Sequence, residues 1–582
     1  MPAQSSTLQH HPRPSTLALF AACLLIGFAM FPGPILAAEV LPVGPPLAPA
    51  LPPVARPLVR FDWQGELRMR GEAIHGMRLS TDPEQPAHLV LRHGSIDPPD
   101  VPQLPAGQGV SYFSLDTADL RLRLQPVMHV GEWTDVHGQI DLGRGVVLGS
   151  DPRTADVIQQ VTTIPGQGPL RDGVSVRRLW LTGRLFGFAE VDIGRMGDHF
   201  GMGMYRNGGS DLLSDFQDDV DRVAVRADLF GLRLMVARDS LSSSPNPSWG
   251  SRANEVTGKD ATTGKDVTGT WTSNTAVQQT LQDSNDLSRW VLEVHGGKRK
   301  ADLGLQWAFA LLYATQETAL LAEHQTDVSF QGNCATTDCF LLISRKARFL
   351  DPEVALDWRG KLGNRSLRWE AEGVLHYGTF DNIGARTTTG TETSTRTSID
   401  SPLTLVAGGI ATRATLRGDH DEWKLDAGYA SGSSDGGFGV NDTDNLRWNG
   451  SSRPDAPFRT FLSGFHFHRN YRIDGLLFRD VIGAVANTVF IKPAWRFLLA
   501  DGSHTLGLEG SVLAAVAASS AATPGKGSLL GIEPEVTLDY RGGSGMTGLL
   551  RGSLLVPGSA FSAEGQSASL ATRIEAIWRL SF

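Results

Sequence analysis

Ser569-Leu570-Ala571-Thr572-Arg573-Ile574-Glu575-Ala576-Ile577-Trp578-Arg579-Leu580-Ser581-Phe582 sorts by chemistry at every second residue. Side chains alternate across an extended strand. One face then carries Leu570, Thr572, Ile574, Ala576, Trp578, Leu580 and Phe582. The other carries Ala571, Arg573, Glu575, Ile577, Arg579 and Ser581. A strand tilted through a bilayer needs about 9–11 residues, with apolar side chains toward lipid and polar ones toward the lumen. A half-buried strand of a soluble β-sandwich has the same period, so neighbouring stretches must decide.

Seventeen further stretches show the same period. They are Phe61–Ile74, Asp116–Val130, Trp133–Leu142, Val174–Thr182, Phe186–Gly194, Asp221–Leu229, Leu232–Asp239, Ser288–Lys298 and Ala301–Thr315. They continue as Ala347–Trp358, Arg365–Tyr377, Leu403–Leu416, Glu422–Ser431, Thr488–Leu499, His504–Ala517, Leu530–Asp539 and Met546–Leu555. The spacing predicts an all-β chain, a single transmembrane antiparallel β-barrel of about 18 strands (range about 16–20). Connections alternate between tight turns and long segments. If the last strand runs toward the periplasm, the tight turns are all periplasmic and the long ones all extracellular, the pattern of outer-membrane barrels. A soluble sandwich has no reason to alternate this way, and closure removes the edges that an open sheet must protect.

Charge follows the same phase. Glu66, Arg68, Arg70, Arg121, Arg123, Glu190, Asp192, Arg222, Arg226, Arg368, Glu370, Glu372, Glu533, Glu535, Arg573 and Glu575 stand on the polar face of their strands. Arg or Lys toward lipid near the midplane costs about 2–4 kcal/mol, so these sixteen residues are expected to line a pore.

The chain of 582 residues carries a formal net charge of −9, which argues against a nucleic-acid partner. Nine of its 53 basic residues are Lys, leaving 44 Arg, whose planar forks suit a charged wall. His10, His11 and Arg13, the apolar run Leu17 to Phe31, the Pro32-Gly33-Pro34 break and Leu36-Ala37-Ala38 read as a signal peptide over residues 1–38. Residues 39–60 are Pro-rich and read as a periplasmic linker, favouring extended polyproline II. The barrel then occupies residues 61–582. Beyond the signal there is no apolar run of 18 residues, so helical spanning is disfavoured. Cys334 and Cys339, in an exported chain, are expected to form a disulfide closing a small loop.

Gly194-Arg195-Met196-Gly197-Asp198-His199-Phe200-Gly201-Met202-Gly203-Met204 is followed by Asn207-Gly208-Gly209 and by Asp218-Asp219-Val220-Asp221-Arg222. With Val147-Leu148-Gly149-Ser150-Asp151-Pro152, these blocks resemble an uncharacterised family of Gram-negative porin-like outer-membrane barrels. The motifs cover about residues 147–226. The resemblance implies a barrel from about residue 60 onward and no known substrate. The terminal strand similarly resembles the closing strand of outer-membrane barrels, and that likeness implies that the barrel-assembly machinery reads the end at Phe582.

Glycines in the block permit tight turns, so it is expected to fold inward, with Arg195, Asp198 and His199 as constriction candidates. Asp198 and His199 are adjacent, and neighbours in a strand seldom face the same way, so no catalytic pair is expected, and no Gly-x-Ser-x-Gly nucleophile context is present. Asp215, Asp218, Asp219 and Asp221 have the oxygen ligands calcium uses, but a solvated acidic loop is the favoured expectation. His466 and His468 are too few for a closed metal site and are expected on an outer loop. Thr257–Asp266 and Thr387–Ser398 read as mobile surface loops.

The sequence therefore predicts a porin passing small hydrophilic solutes through a mixed-charge pore. No enzyme activity, no metal and no cofactor are expected. Its partners are outer-membrane lipid, lipopolysaccharide and the assembly machinery. The competing expectations are a structural or adhesive barrel with a closed lumen and, less favoured, a barrel enzyme, for which no positioned nucleophile and base can be assembled. A plugged transporter needs about 22 strands and a plug domain, which the short stretch before the first strand does not provide.

Overall fold

A computed structural model describes residues 59–76, 114–147, 174–185, 187–241, 253–259, 266–272, 287–300, 303–321, 340–381, 402–433, 461–500, 502–523, 525–543, 545–561 and 568–582. The signal-peptide and most of the linker assignments lie outside these residues, as do Cys334, Cys339 and Thr387–Ser398.

The period-two stretches form strands β1 (Val59–His75), β2 (Ser114–Val130), β3 (Thr134–Val147), β4 (Val174–Leu185), β5 (Ala189–Gly197), β6 (Asp219–Leu229) and β7 (Leu232–Leu241). After a hairpin, β8 (Ala253–Lys259) and β9 (Asp266–Thr272), come β10 (Leu287–Lys300), β11 (Leu303–Leu321), β12 (Phe340–Leu362), β13 (Arg365–Asp381), β14 (Pro402–Arg417) and β15 (Asp421–Ala430). The two-residue β16 (Phe461–Leu462) precedes β17 (Thr488–Ala500), β18 (His504–Ala517), β19 (Leu529–Gly542), β20 (Met546–Pro557) and β21 (Ala571–Ser581).

Leaving out β8, β9 and β16, the other eighteen of these 21 strands pair antiparallel, each with its neighbour in the chain. The ring closes where β1 pairs with β21, from Glu66↔Ser581 to His75↔Thr572. The expected eighteen-strand antiparallel barrel is the fold of the chain. Every second connection in the ring is at most three residues, and the others are eleven or more. All short turns lie at the end of the barrel that holds Val59 and Phe582.

Alternation places the charged phase inside. Arg573 is 1% exposed while its neighbour Ile574 is 48% exposed, and Asp192 is fully buried beside Ile193 at 50%. The outer face is apolar over most of its height, the reverse of a soluble barrel. Aromatic side chains stand on it toward both ends, including Trp63, Trp423, Trp495 and Phe582 near the short turns and Trp290, Tyr313, Tyr377 and Tyr429 toward the long connections. No helix among the described residues is long and apolar enough to cross a membrane.

Two long connections turn inward. Residues 198–218, between β5 and β6, cross the lumen. So do residues 461–487, between β15 and β17. The second crossing corrects the expectation that His466 and His468 sit on an outer loop. Phe465, Phe467, Ile473, Leu476, Leu477, Phe478, Val481 and Ile482 pack with inward wall residues Leu403, Leu405, Leu513, Leu530 and Leu555 in one apolar core inside the barrel. Thr257–Asp266 also departs from expectation. It spans the β8–β9 hairpin, with Thr257↔Thr268 and Lys259↔Asp266 paired, and Trp271 and Thr272 extend its ladder to β12.

Candidate functional site: the crossed lumen

The first inward segment begins where β5 ends. Gly201 (φ +54°) and Gly203 (φ +75°) turn it in the left-handed region. A Cβ at Gly201 would sit 2.7 Å from Glu372 Oε2 and one at Gly203 2.5 Å from Asn207 Nδ2, so neither position admits a side chain without rearrangement. Asp198 N–H donates to Asp218 O and Asp218 N–H to Asn207 O, closing the base. Asn207 Nδ2 donates to Gly203 O, and Gly209 N–H donates to Asn207 Oδ1.

The segment is fastened to two opposite walls. On β13, the Glu372 carboxylate accepts N–H bonds from Met202 (2.5 Å), Met204 (3.2 Å) and Tyr205 (3.2 Å). Nearby, Arg206 forks onto Glu353 of β12 and reaches Glu293 of β10 at 2.9 Å. Tyr205 Oη donates to Asp351 at 3.0 Å. On the other wall, Arg68 and Arg121 donate to Ser214 O at 2.9 and 2.8 Å. Arg123 donates to Asp141, to Gly209 O and to Gln217.

Asp198 and Asp215 are the segment's two buried carboxylates. Burial works to raise the Asp198 pKa, but Arg206, Arg289 and Arg222 reverse it and hold the carboxyl well below the usual range. Burial acts likewise on Asp215, and Arg70, Arg472 and Arg68 outweigh it. Asp215 lies 2.9 Å from Arg68 and 2.7 Å from Arg70. Asp219 is held by Arg177 and Arg178, and Asp221 by Arg195. Asp218 accepts the Asn207 N–H at 2.8 Å, so each of the four aspartates meets a cation or a backbone donor, and they do not converge as calcium ligands would.

The second segment is held by the same device. Glu533 of β19 accepts N–H bonds from Gly475, Leu476 and Leu477, each at 2.9 Å. Below it, Arg479 bridges Glu575 (2.9 Å) and Glu72 (2.8 Å), and Arg573 bridges Glu72 and Asp480, both at 2.7 Å. Lys492 pairs with Glu535, which also accepts from Ser553. Removing one partner of such a buried pair is strongly destabilising, because the remaining charge is stranded.

The two segments also hold each other. Asn470 Oδ1 accepts the N–H of Asp215 (3.1 Å) and of Phe216 (3.0 Å), and its Nδ2 donates to Phe216 O. His468 N–H donates to Met204 O, and Arg472 pairs with Asp215 at 2.5 Å.

This geometry locates the sixteen wall residues selected by phase. Arg68, Arg70, Arg121, Arg123, Asp192, Arg222, Glu372, Glu533, Glu535, Arg573 and Glu575 point inward and are buried, most of them beneath the segments. Glu66, Glu190, Arg226, Arg368 and Glu370 point inward toward the short-turn end and keep part of their surface open. Asp198 and His199 belong to the inward segment, with His199 Nδ1 accepting from Gly208 N–H. Arg195 does not. It stands on the outer face, paired with Asp221 at 2.6 Å, because residue 195 is out of phase with the inward Gly194 and Met196.

Phase alone would also have selected Glu72, Asp119, Asp141, Arg289, Glu293 and Glu353, which complete the same networks. Asn470, Arg472 and Arg479 carried no periodic signal. Among the described residues no group of three or more His, Cys, Asp or Glu side chains is arranged to hold a metal ion.

No family model and no curated protein matches the chain. Solved structures with a similar chain path include Pseudomonas aeruginosa OpdK with vanillate, at 11% identity and TM-score 0.40, covering 90% of this chain and 99% of that one. Another is a BenF-like porin from Pseudomonas fluorescens Pf-5, at 12% identity and TM-score 0.41, covering 90% and 99%. A third is Pseudomonas aeruginosa OccK8 (OprE), at 8% identity and TM-score 0.41, covering 90% and 98%. At these scores the likeness carries no argument, and the barrel assignment rests on the chain's own closed ladder.

Proposed function

We propose that the chain is an outer-membrane channel for small hydrophilic solutes, narrowed by two interlocked inward segments. The observation that carries this is the division of the lumen. Inward charges near the short turns (Glu66, Arg226, Arg368 and Glu370) retain open surface, while the middle is crossed by residues 198–218 and 461–487. An eighteen-strand barrel leaves room for an aqueous path, and mixed charges along a confined path select by field. Passage needs no covalent chemistry. In this reading residues 1–38 direct export, residues 39–60 link, the short-turn end faces the periplasm and the apolar outer face meets lipid.

The test is single-channel recording of the purified full chain in a planar bilayer. Discrete conductance steps are expected, and Glu533→Gln should enlarge them or raise their frequency by loosening the second segment. A second reading, a closed-lumen barrel, is favoured by the apolar core that the second segment forms with the wall. It predicts no steps in the wild type. No steps in either protein would sink the channel reading.

A further inference from the structure

The geometry points to a binding site for a lipid-borne phosphate on the outer face of the barrel, at the long-connection end of β7 and β10. The inference rests on the membrane placement proposed above.

Outward cations are scarce on the described wall. In the upper half of the barrel they include Arg195, Arg238 and Arg348, all on the side formed by β5 to β12. Arg195 is paired with Asp221, whose two carboxylate oxygens accept from its Nε and Nη2 at 2.7 and 2.6 Å. Arg238 is different. Its guanidinium lies over the Trp290 ring at 5.3 Å from the centroid, and among the described residues no carboxylate pairs with it. Trp290 is itself half exposed on the outer face.

The register places these two in one row, Val223↔Arg238↔Trp290. One step toward the long connections the row is Asp221↔Ser240↔Ser288, and Ser288 Oγ lies 3.2 Å from Thr315 Oγ1. One step toward the short turns it is Val225↔Val236↔Leu292, wholly apolar and exposed. Hydroxyls above, a braced cation between and a hydrocarbon face below match a phosphate headgroup with its acyl chains running down the wall. An arginine fork is suited to phosphate. An arginine at this margin costs about 0–1 kcal/mol by itself, and a phosphate oxygen within its reach offsets that. The long-connection end is the outer surface in the proposed placement, which commits the site to a phosphorylated glycolipid of the outer leaflet.

The experiment uses the folded full chain in neutral detergent, with bound lipid counted by native mass spectrometry. The probes are lipid A, its dephosphorylated form and inorganic phosphate. Wild type should retain lipid A at least ten times better than the dephosphorylated lipid, and Arg238→Gln should erase that difference. Arg233→Gln, at the short-turn end, should leave it intact. Heat-modifiable gel mobility shows that each variant is folded. Equal retention of lipid A by Arg238→Gln and wild type would overturn the site. So would inorganic phosphate displacing lipid A at comparable concentration, since the site would then be one for a free anion. Failure of the protein to enter bilayers at all would instead remove the membrane reading, which keeps the two outcomes separate.

Discussion

Asn470 joins two segments 254 residues apart in sequence. Its amide saturates two N–H groups and one carbonyl of the first segment, so Asn470→Ala leaves buried backbone groups unsatisfied. Each such group costs about 1–3 kcal/mol. Amide hydrogen exchange at Asp215 and Phe216 should therefore quicken at least tenfold in Asn470→Ala, while exchange in β13 stays unchanged. Unchanged exchange at both amides would show that the segments are held independently. The two buried aspartates add a pH dependence. Arginines hold Asp198 and Asp215 below the ordinary carboxylate range. A depressed folded pKa contributes stability that is present above the unfolded value of about 3.9 and is lost as pH falls below it. The first segment should thus loosen below about pH 4, seen as larger or noisier single-channel currents than at pH 7. Asp215→Asn should show that noisier behaviour already at pH 7, with a weaker response to acid. Acid-insensitive currents in wild type would separate the aspartates from control of the path.

At the scale of elements, both inward segments are fastened alike. A wall glutamate, Glu372 on β13 or Glu533 on β19, accepts three N–H groups that are consecutive or nearly so. A hydrogen bond of this kind is worth about 0.5–1.5 kcal/mol, and glutamine substitutes a donor for one of the oxygens. Glu372→Gln should free the first segment and Glu533→Gln the second, with trypsin cleaving after Arg206 only in the former and after Arg472 only in the latter. Cleavage at both sites in either variant would mean that the segments open together. The strands themselves were legible from alternation, because a half-buried wall writes its two solvents into sequence at period two. The inward folding was not, since a connection has no period. Its signals lay in composition. Phe465, Phe467, Ile473 and Leu476-Leu477-Phe478 are too apolar for a solvated loop. Asp215 and Asp218-Asp219 needed cations that the 44 arginines were present to supply. Most of the sixteen inward positions clamp segments against the wall.

For the whole molecule, the seam between β1 and β21 decides whether a barrel exists. In lipid every backbone group must find a partner within the protein, so an unclosed sheet is not a stable product. The ladder of that seam runs to its last residue. Gly65 N–H donates to Phe582 O at 2.8 Å, and Phe582 N–H donates to Gly65 O at 2.9 Å. The Phe582 ring lies over Gly65, where a Cβ would come within 2.6 Å of it. Gly65 is thus the seat of the terminal aromatic, on the outward phase shared with Trp63 and Leu67. Two variants probe this joint from opposite sides. Deleting Phe582 removes both hydrogen bonds and the ring, and Gly65→Val keeps the bonds possible but displaces the ring. Each should lower the fraction of folded barrel in outer-membrane extracts, measured by heat-modifiable gel mobility, with the deletion the more severe. Adding Gly65→Val to the deletion should then cost little more, because the ring it displaces is already gone. If the deletion folds as well as wild type, the seam closes without its last rung. If Gly65→Val alone is neutral, the aromatic does not need its seat, and any effect of the deletion would belong to recognition of the terminus during assembly.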